Sequence, residues 1–239
     1  MLNQSAMKKL LIAFALLFAG FTAQSQILIS ILLGDKLNLD KLEFGIDGGL
    51  NRSSIQGLDH ANYVGRFNLG FYFDFHLKNP VWMVHTGVIV KSTMGAQNIA
   101  VYDLGNAELN AAFAGGSVDR RLNYFNVPIL MKRQFKNHFY VEGGPMVGLM
   151  NKSVDVFTRN VVDSDDLNYT LKIRDRYHPL DAGMMAGIGY RLLGGNGMNL
   201  GIRYYYGLVD ITVDDSTPNQ YNRSFYFTVG IPIGKEPKK

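Results

Sequence analysis

Cysteine is absent from all 239 residues. That excludes disulfides, thiolate metal sites and a lipidated cysteine anchor together, and it suits a protein exported through an oxidising compartment. Past the N-terminus no stretch reaches the ~18 consecutive apolar residues of a membrane-crossing helix. No segment repeats apolar residues at a helical period either. An excess of one charge is lacking too, with 24 basic residues against 20 acidic ones. Without a basic helix or stripe, the sequence pI of 9.1 does not indicate nucleic acid. Neither G-x-S-x-G nor H-E-x-x-H occurs. Asp155, Asp163, Asp165 and Asp166 crowd together, yet they lack the D-x-D-x-D-G spacing and distal glutamate of a calcium loop. Arg159, Lys172, Arg174 and Arg176 offset them, so a solvated charged loop accounts for the segment, and neither a metal nor a cofactor is expected.

What is present begins with an address. Residues 1–25 read as a secretory leader: Lys8 and Lys9 precede an apolar run from Leu10 to Phe21, and Ala23-Gln24-Ser25 offers small residues for cleavage before Gln26. Residues 26–41, including the apolar Ile27–Leu33, form a periplasmic lead-in; residues 42–233 form one domain and 234–239 a basic tail. Aromatics at 12% and 26 glycines favour β structure.

The main signal is alternation. Phe67, Leu69, Phe71, Phe73, Phe75 and Leu77 share one face of a strand, and Asn68, Gly70, Tyr72, Asp74 and His76 share the other. The same pattern recurs over Leu42–Asn51, Val81–Lys91, Asn123–Phe135, Phe139–Leu149, Leu180–Leu192, Met198–Leu208 and Phe225–Ile233. Connections alternate in length. Lys78-Asn79-Pro80, Lys136-Asn137-His138 and Leu193–Gly197 are tight turns, whereas Arg52–Gly65, Ser92–Leu122, Met150–Pro179 and Val209–Arg223 are long and polar. Short turns on one side and long loops on the other predict an all-β fold, an eight-stranded antiparallel up-and-down transmembrane β-barrel in the outer membrane. Phe75, Trp82, Phe135, Phe139 and Tyr190 fall near the short turns, where a periplasmic aromatic girdle belongs.

The two faces then take different roles. Phe67, Leu69, Phe71, Phe73, Phe75, Leu77 and Trp82 should face outer-membrane lipid. Glu43, Asp47, Asp74, His76, His85, Lys91, Glu142, Asp181, Arg191 and Arg203 should fill the lumen as a charge network, because eight strands leave room only for side chains. A membrane enzyme acting on lipid is the sharper alternative. It needs His85 or His76 beside Asp74 or Asp47, with Ser53, Ser54 or Ser92 as nucleophile.

One motif carries a family likeness. Arg203-Tyr204-Tyr205-Tyr206-Gly207-Leu208-Val209-Asp210-Ile211, with Leu33-Gly34-Asp35-Lys36-Leu37-Asn38, Asp40-Lys41-Leu42-Glu43-Phe44-Gly45 and Val127-Pro128, resembles the PorT-like outer-membrane barrels of the Bacteroidetes. The resemblance spans the mature chain. It implies an eight-stranded outer-membrane barrel, and a founding member that takes part in protein secretion across that membrane; it transfers no catalytic residue. The last strand ends at Ile233 before a basic tail, so recognition by the assembly machinery falls to Phe225, Phe227 and Val229.

The expected function is a non-enzymatic, monomeric barrel that serves as scaffold or accessory of an envelope or secretion complex. Its partners would meet the external loops at Tyr102, Tyr169 and Tyr177. A narrow solute channel and a soluble lipocalin-like periplasmic binder are the remaining alternatives.

Overall fold

The computed structural model describes residues 42–79, 81–162, 165–192, 197–214 and 218–233; the leader, the lead-in and the C-terminal tail lie outside them. The strands are β1 (Leu42–Gln56), β2 (Val64–His76), β3 (Trp82–Ala100), β4 (Ser117–Gln134) and β5 (Phe139–Val162). They continue as β6 (Asp165–Lys172), β7 (Leu180–Arg191), β8 (Asn199–Gly207) and β9 (Tyr221–Ile233); among the described residues a short helix, α1 (Ala107–Phe113), lies between β3 and β4, and a 3₁₀ turn (Arg174–Arg176) between β6 and β7. All pairings are antiparallel. The order β4-β3-β2-β1-β9-β8-β7-β5 closes on itself through β4–β5, giving an eight-stranded ring. β6 stands outside the ring, as a hairpin on the upper half of β5.

Alternation places the side chains. Phe67, Leu69, Phe71, Phe75 and Leu77 of the β2 segment are exposed on the outer wall, as are Ile129 and Met131 of β4, Val147 and Leu149 of β5 and Ile188 of β7. Between them Glu43, Asp74, His85, Lys132, Glu142 and Arg203 point inward and are buried. Phe73 and Trp82 are half-buried within the outer wall, the former by Phe44, whose ring centre is 5.1 Å away. This is the inside-out arrangement of a barrel in lipid.

Inward glycines make the narrow lumen possible. A β-carbon on Gly45 would collide with the ring of Tyr72, and one on Gly189 with the ring of Tyr140. Both tyrosines lie flat across glycine backbone, so large side chains fit where the ring of strands leaves little width.

Two segments expected to be loops are largely strand. β3 runs on to Ala100, β4 starts at Ser117, and β5 continues through Val162. At 24 residues, β5 is about twice as long as a tilted bilayer-spanning strand needs to be. Their continuations pair as a four-stranded sheet, β3-β4-β5-β6, projecting from the long-loop end. The apolar face changes sides at the boundary. On β4, Phe125, Val127 and Ile129 face outward, whereas below residue 123 the apolar residues Val118 and Leu122 face inward and Asp119 and Arg121 outward. Water replaces lipid outside the wall there, so the pattern reverts to that of a soluble sheet.

Candidate functional site

Two interior regions concentrate the polar chemistry. The first is the lower lumen, toward the short turns. Asp74 and His85 are cross-strand partners in the β2–β3 hairpin, and Asp74 Oδ1 lies 2.6 Å from His85 Nδ1. Lys132 on β4 donates to Asp74 Oδ2 at 2.8 Å. Arg203 on β8 crosses the lumen, donating from Nε to Glu142 Oε1 at 2.5 Å and from Nη1 to Asp47 Oδ2 at 2.6 Å. Its Nη2 lies 3.0 Å from His85 Nε2. Arginine only donates, so His85 Nε2 accepts and the ring proton sits on Nδ1, directed at Asp74. Tyr72 donates to Glu43 Oε1 at 3.0 Å, and Arg191 donates to Glu43 Oε2 at 2.7 Å nearer the mouth.

One connected set thus holds Lys132 and Arg203 against Asp74, Asp47 and Glu142, and beside it Arg191 is held against Glu43. Each of these charges has an opposite partner, without which its desolvation would cost several kcal/mol. The space left among Asp47, Tyr72, His85, Lys132 and Arg203 is about 10 Å³, room for one water molecule.

The residues expected in this network do not all join it. Asp181 is buried higher up and accepts from Asn222 Nδ2 at 2.8 Å. His76 is half-buried at the end of β2, and among the described residues its Nε2 has no hydrogen-bond partner. Lys91 is a correction: it faces out, with Nζ 5.5 Å from the Phe67 ring centre. The cause is a register shift between Ile89 and Ser92 in β3, which turns Ser92 inward in its place. Sequence reading passed over Lys132, although its parity opposite Met131 and Arg133 marks it as inward.

The serines proposed as nucleophiles do not meet the histidines. Ser92 Oγ is 3.1 Å from Tyr226 OH and accepts from Asn126 Nδ2 at 2.9 Å. Ser53 donates to the Gly95 carbonyl at 3.2 Å, and Ser54 to the Ala61 carbonyl at 3.5 Å. With both ring nitrogens occupied, His85 has no site from which to take a serine proton.

The second region is the hood built by the strand extensions. Ile99, Val118, Phe157 and Tyr169 stand in register across β3, β4, β5 and β6. α1 covers them, with the Phe113 ring 6.0 Å from Phe157. Asn106 caps α1 by accepting from Glu108 N and Leu109 N. Beneath this row, Arg120 grips Asp155 through two hydrogen bonds of 2.8 and 2.6 Å, and also donates to Tyr177 OH at 2.7 Å. Tyr102 donates to Asp155 Oδ2 at 2.8 Å; burial, then the Asp155 charge, pushes its hydroxyl well above the usual tyrosine range. Asp155 is therefore the buried acid of an ion pair, not a solvated loop charge. Tyr102, Tyr169 and Tyr177 are corrected likewise: Tyr177 is buried and the other two half-buried, packing the hood's interior instead of facing a partner.

The segment that resembles PorT-like barrels is built into both regions. Arg203 is the hub of the lumen, Tyr205 is buried above it, and Ile211 lies in the hood core. Asp210 Oδ1 accepts from Thr212 N at 3.1 Å, Thr212 Oγ1 at 2.8 Å and Gln220 N at 2.9 Å, fixing the connection to β9. Desolvation works against the Asp210 carboxylate, but these bonds hold the group below the usual carboxylate range.

Among known proteins, a family model agrees with this architecture. The family model described as outer membrane protein beta-barrel domain matches residues 22–213. Among solved structures, the chain is similar to Ail, the attachment invasion locus protein of Yersinia pestis, at 12% identity and TM-score 0.40, covering 80% of this chain and 97% of that one. It is also similar to Neisserial surface protein A, at 11% identity and TM-score 0.39, covering 80% and 96%. The N-terminal barrel domain of Pseudomonas aeruginosa OprF aligns at 10% identity and TM-score 0.25, covering 78% and 96%. No curated protein sequence matches the chain.

Proposed function

From a chain that belongs to the outer membrane protein beta-barrel domain family and resides in the outer membrane, we propose a non-enzymatic role. The barrel is a scaffold or accessory of an envelope complex, such as the secretion machinery associated with the PorT-like barrels it resembles. The observation that carries this reading is the division of labour within the chain. The lumen is filled by mutually paired charges and aromatics, while the extensions of β3, β4 and β5, with β6 and α1, build a folded body outside the membrane. A hood whose apolar core continues that of the upper lumen holds its surface in a fixed shape, as a docking platform requires.

Crosslinking tests the reading. A photoreactive residue at Leu167 on β6 or at Val213 beside the β8–β9 connection, both exposed on the hood, should capture a discrete protein partner in intact envelopes. The same probe at Ile188 on the outer wall of β7 should not. Absence of a discrete adduct from either hood position would sink the proposal. The packed lumen carries a second expectation: purified protein in planar bilayers should give no stable conductance steps, and regular single-channel steps would restore the channel alternative.

A further inference from the structure

Arg133, like Arg52 against the Tyr63 ring on β1, is an exposed arginine of the barrel wall, and it lies at the short-turn end. It lies on β4 between the inward Lys132 and the half-buried Gln134, and it is exposed on the outer face. Its guanidinium sits 5.3 Å from the Trp82 ring centre and 5.2 Å from that of Phe135. Two rings lie close to it, yet among the described residues no oxygen accepts a hydrogen bond from it, whereas Arg191 and Arg203 in the lumen are paired to acids. A fork of in-plane N–H donors with no acceptor, at the edge of the apolar wall, is a site for an anion supplied from outside the protein.

The surroundings say which anion. Trp82 opens β3 and pairs with Arg133 across the β3–β4 ladder, next to a short turn. That places both at the periplasmic interface of the membrane, where aromatic residues and long basic side chains meet lipid headgroups. Lys78 and Lys136 occupy the two neighbouring turns, and residues 77–82 and 133–139 include no acid. Leu77, Lys78, Asn79, Trp82 and Met131 line a shallow, open depression with a mostly apolar lining beside the turn. A cation paired with Trp82, an apolar depression that Trp82 also lines and the membrane alongside match one molecule with a phosphate joined to acyl chains.

We propose that this patch binds an anionic glycerophospholipid of the periplasmic leaflet. Arg133 and Lys78 hold its phosphate, and an acyl chain lies in the depression against Leu77 and Met131. The proposal depends on the outer-membrane placement alone and stands or falls separately from the partner role of the hood.

Native mass spectrometry tests it. Protein reconstituted in equimolar phosphatidylethanolamine and phosphatidylglycerol, then extracted gently, should retain phosphatidylglycerol in preference. Arg133→Gln should lower that retention about fivefold, the effect of one basic residue near an anionic lipid surface, and Arg133→Lys should restore part of it. Arg121→Gln, at the external end of β4, should retain as much as the wild type. Heat-modifiable migration confirms folding of each variant. If Arg133→Gln does not fold, Lys78→Gln in the exposed turn carries the same expectation of reduced retention. Equal retention of the two lipids by the wild type, or undiminished retention in the folded Arg133→Gln and Lys78→Gln variants, overturns the assignment.

Discussion

Phe71→Arg should destabilise the folded barrel by about 2–4 kcal/mol, the cost of a charge near mid-membrane on a lipid-facing barrel position. Phe71 lies near the centre of β2, opposite Ile46 on β1 and Val88 on β3, with Leu69 and Phe75 exposed on the same face. No water and no acidic neighbour on that face would receive the guanidinium. On a water-facing surface the sign of the argument reverses, since an exposed phenylalanine replaced by arginine loses little. Urea unfolding in lipid vesicles measures the difference. Its probe is built in, because Trp82, the single tryptophan of the chain, sits on the outer wall. Unchanged stability of Phe71→Arg would mean that the apolar wall does not face hydrocarbon.

Arg203→Met should cost about 3–5 kcal/mol, the range for removing one partner of a buried ion pair. Arg203 is nearly inaccessible and answers Glu142, Asp47 and His85 at once. Methionine fills similar volume, so the loss measures uncompensated charge more than a cavity. The decisive comparison is the triple variant Arg203→Met, Glu142→Gln, Asp47→Asn, in which the acids lose their charge together with the base. It should recover a substantial part of the lost stability, as coupled neighbours do in mutant cycles. Equal destabilisation of the single and triple variants would show that Arg203 contributes by packing and not by charge.

The tyrosines of the hood show where sequence reading stops. Tyr102, Tyr169 and Tyr177 sit in polar segments, and a polar segment between strands resembles an exposed loop. Their burial follows from contacts with Asp155, Phe113, Phe157 and Arg120, which are distant in sequence. The sheet that buries them was obscured because its apolar positions change face where lipid gives way to water. Asp74 and His85 are the opposite case. A tight turn joins their strands, so the cross-strand pairing follows from counting back along alternating residues.

Alternation and loop length together determined the barrel, its strand number, its outer wall and most of the inward charges, Lys91 and Lys132 excepted, because a sheet that spans the bilayer must close and turn one apolar face to lipid. Closure of the ring decided the rest. Arg203 meets Asp47 across 156 positions of sequence and Glu142 across 61, on strands that are not its ladder partners. Period-two patterning fixes the face a side chain takes, but it carries no distance between strands that pair with neither. Those distances come from the shape of the closed barrel, and with them came the occupied lumen and the paired nitrogens of His85.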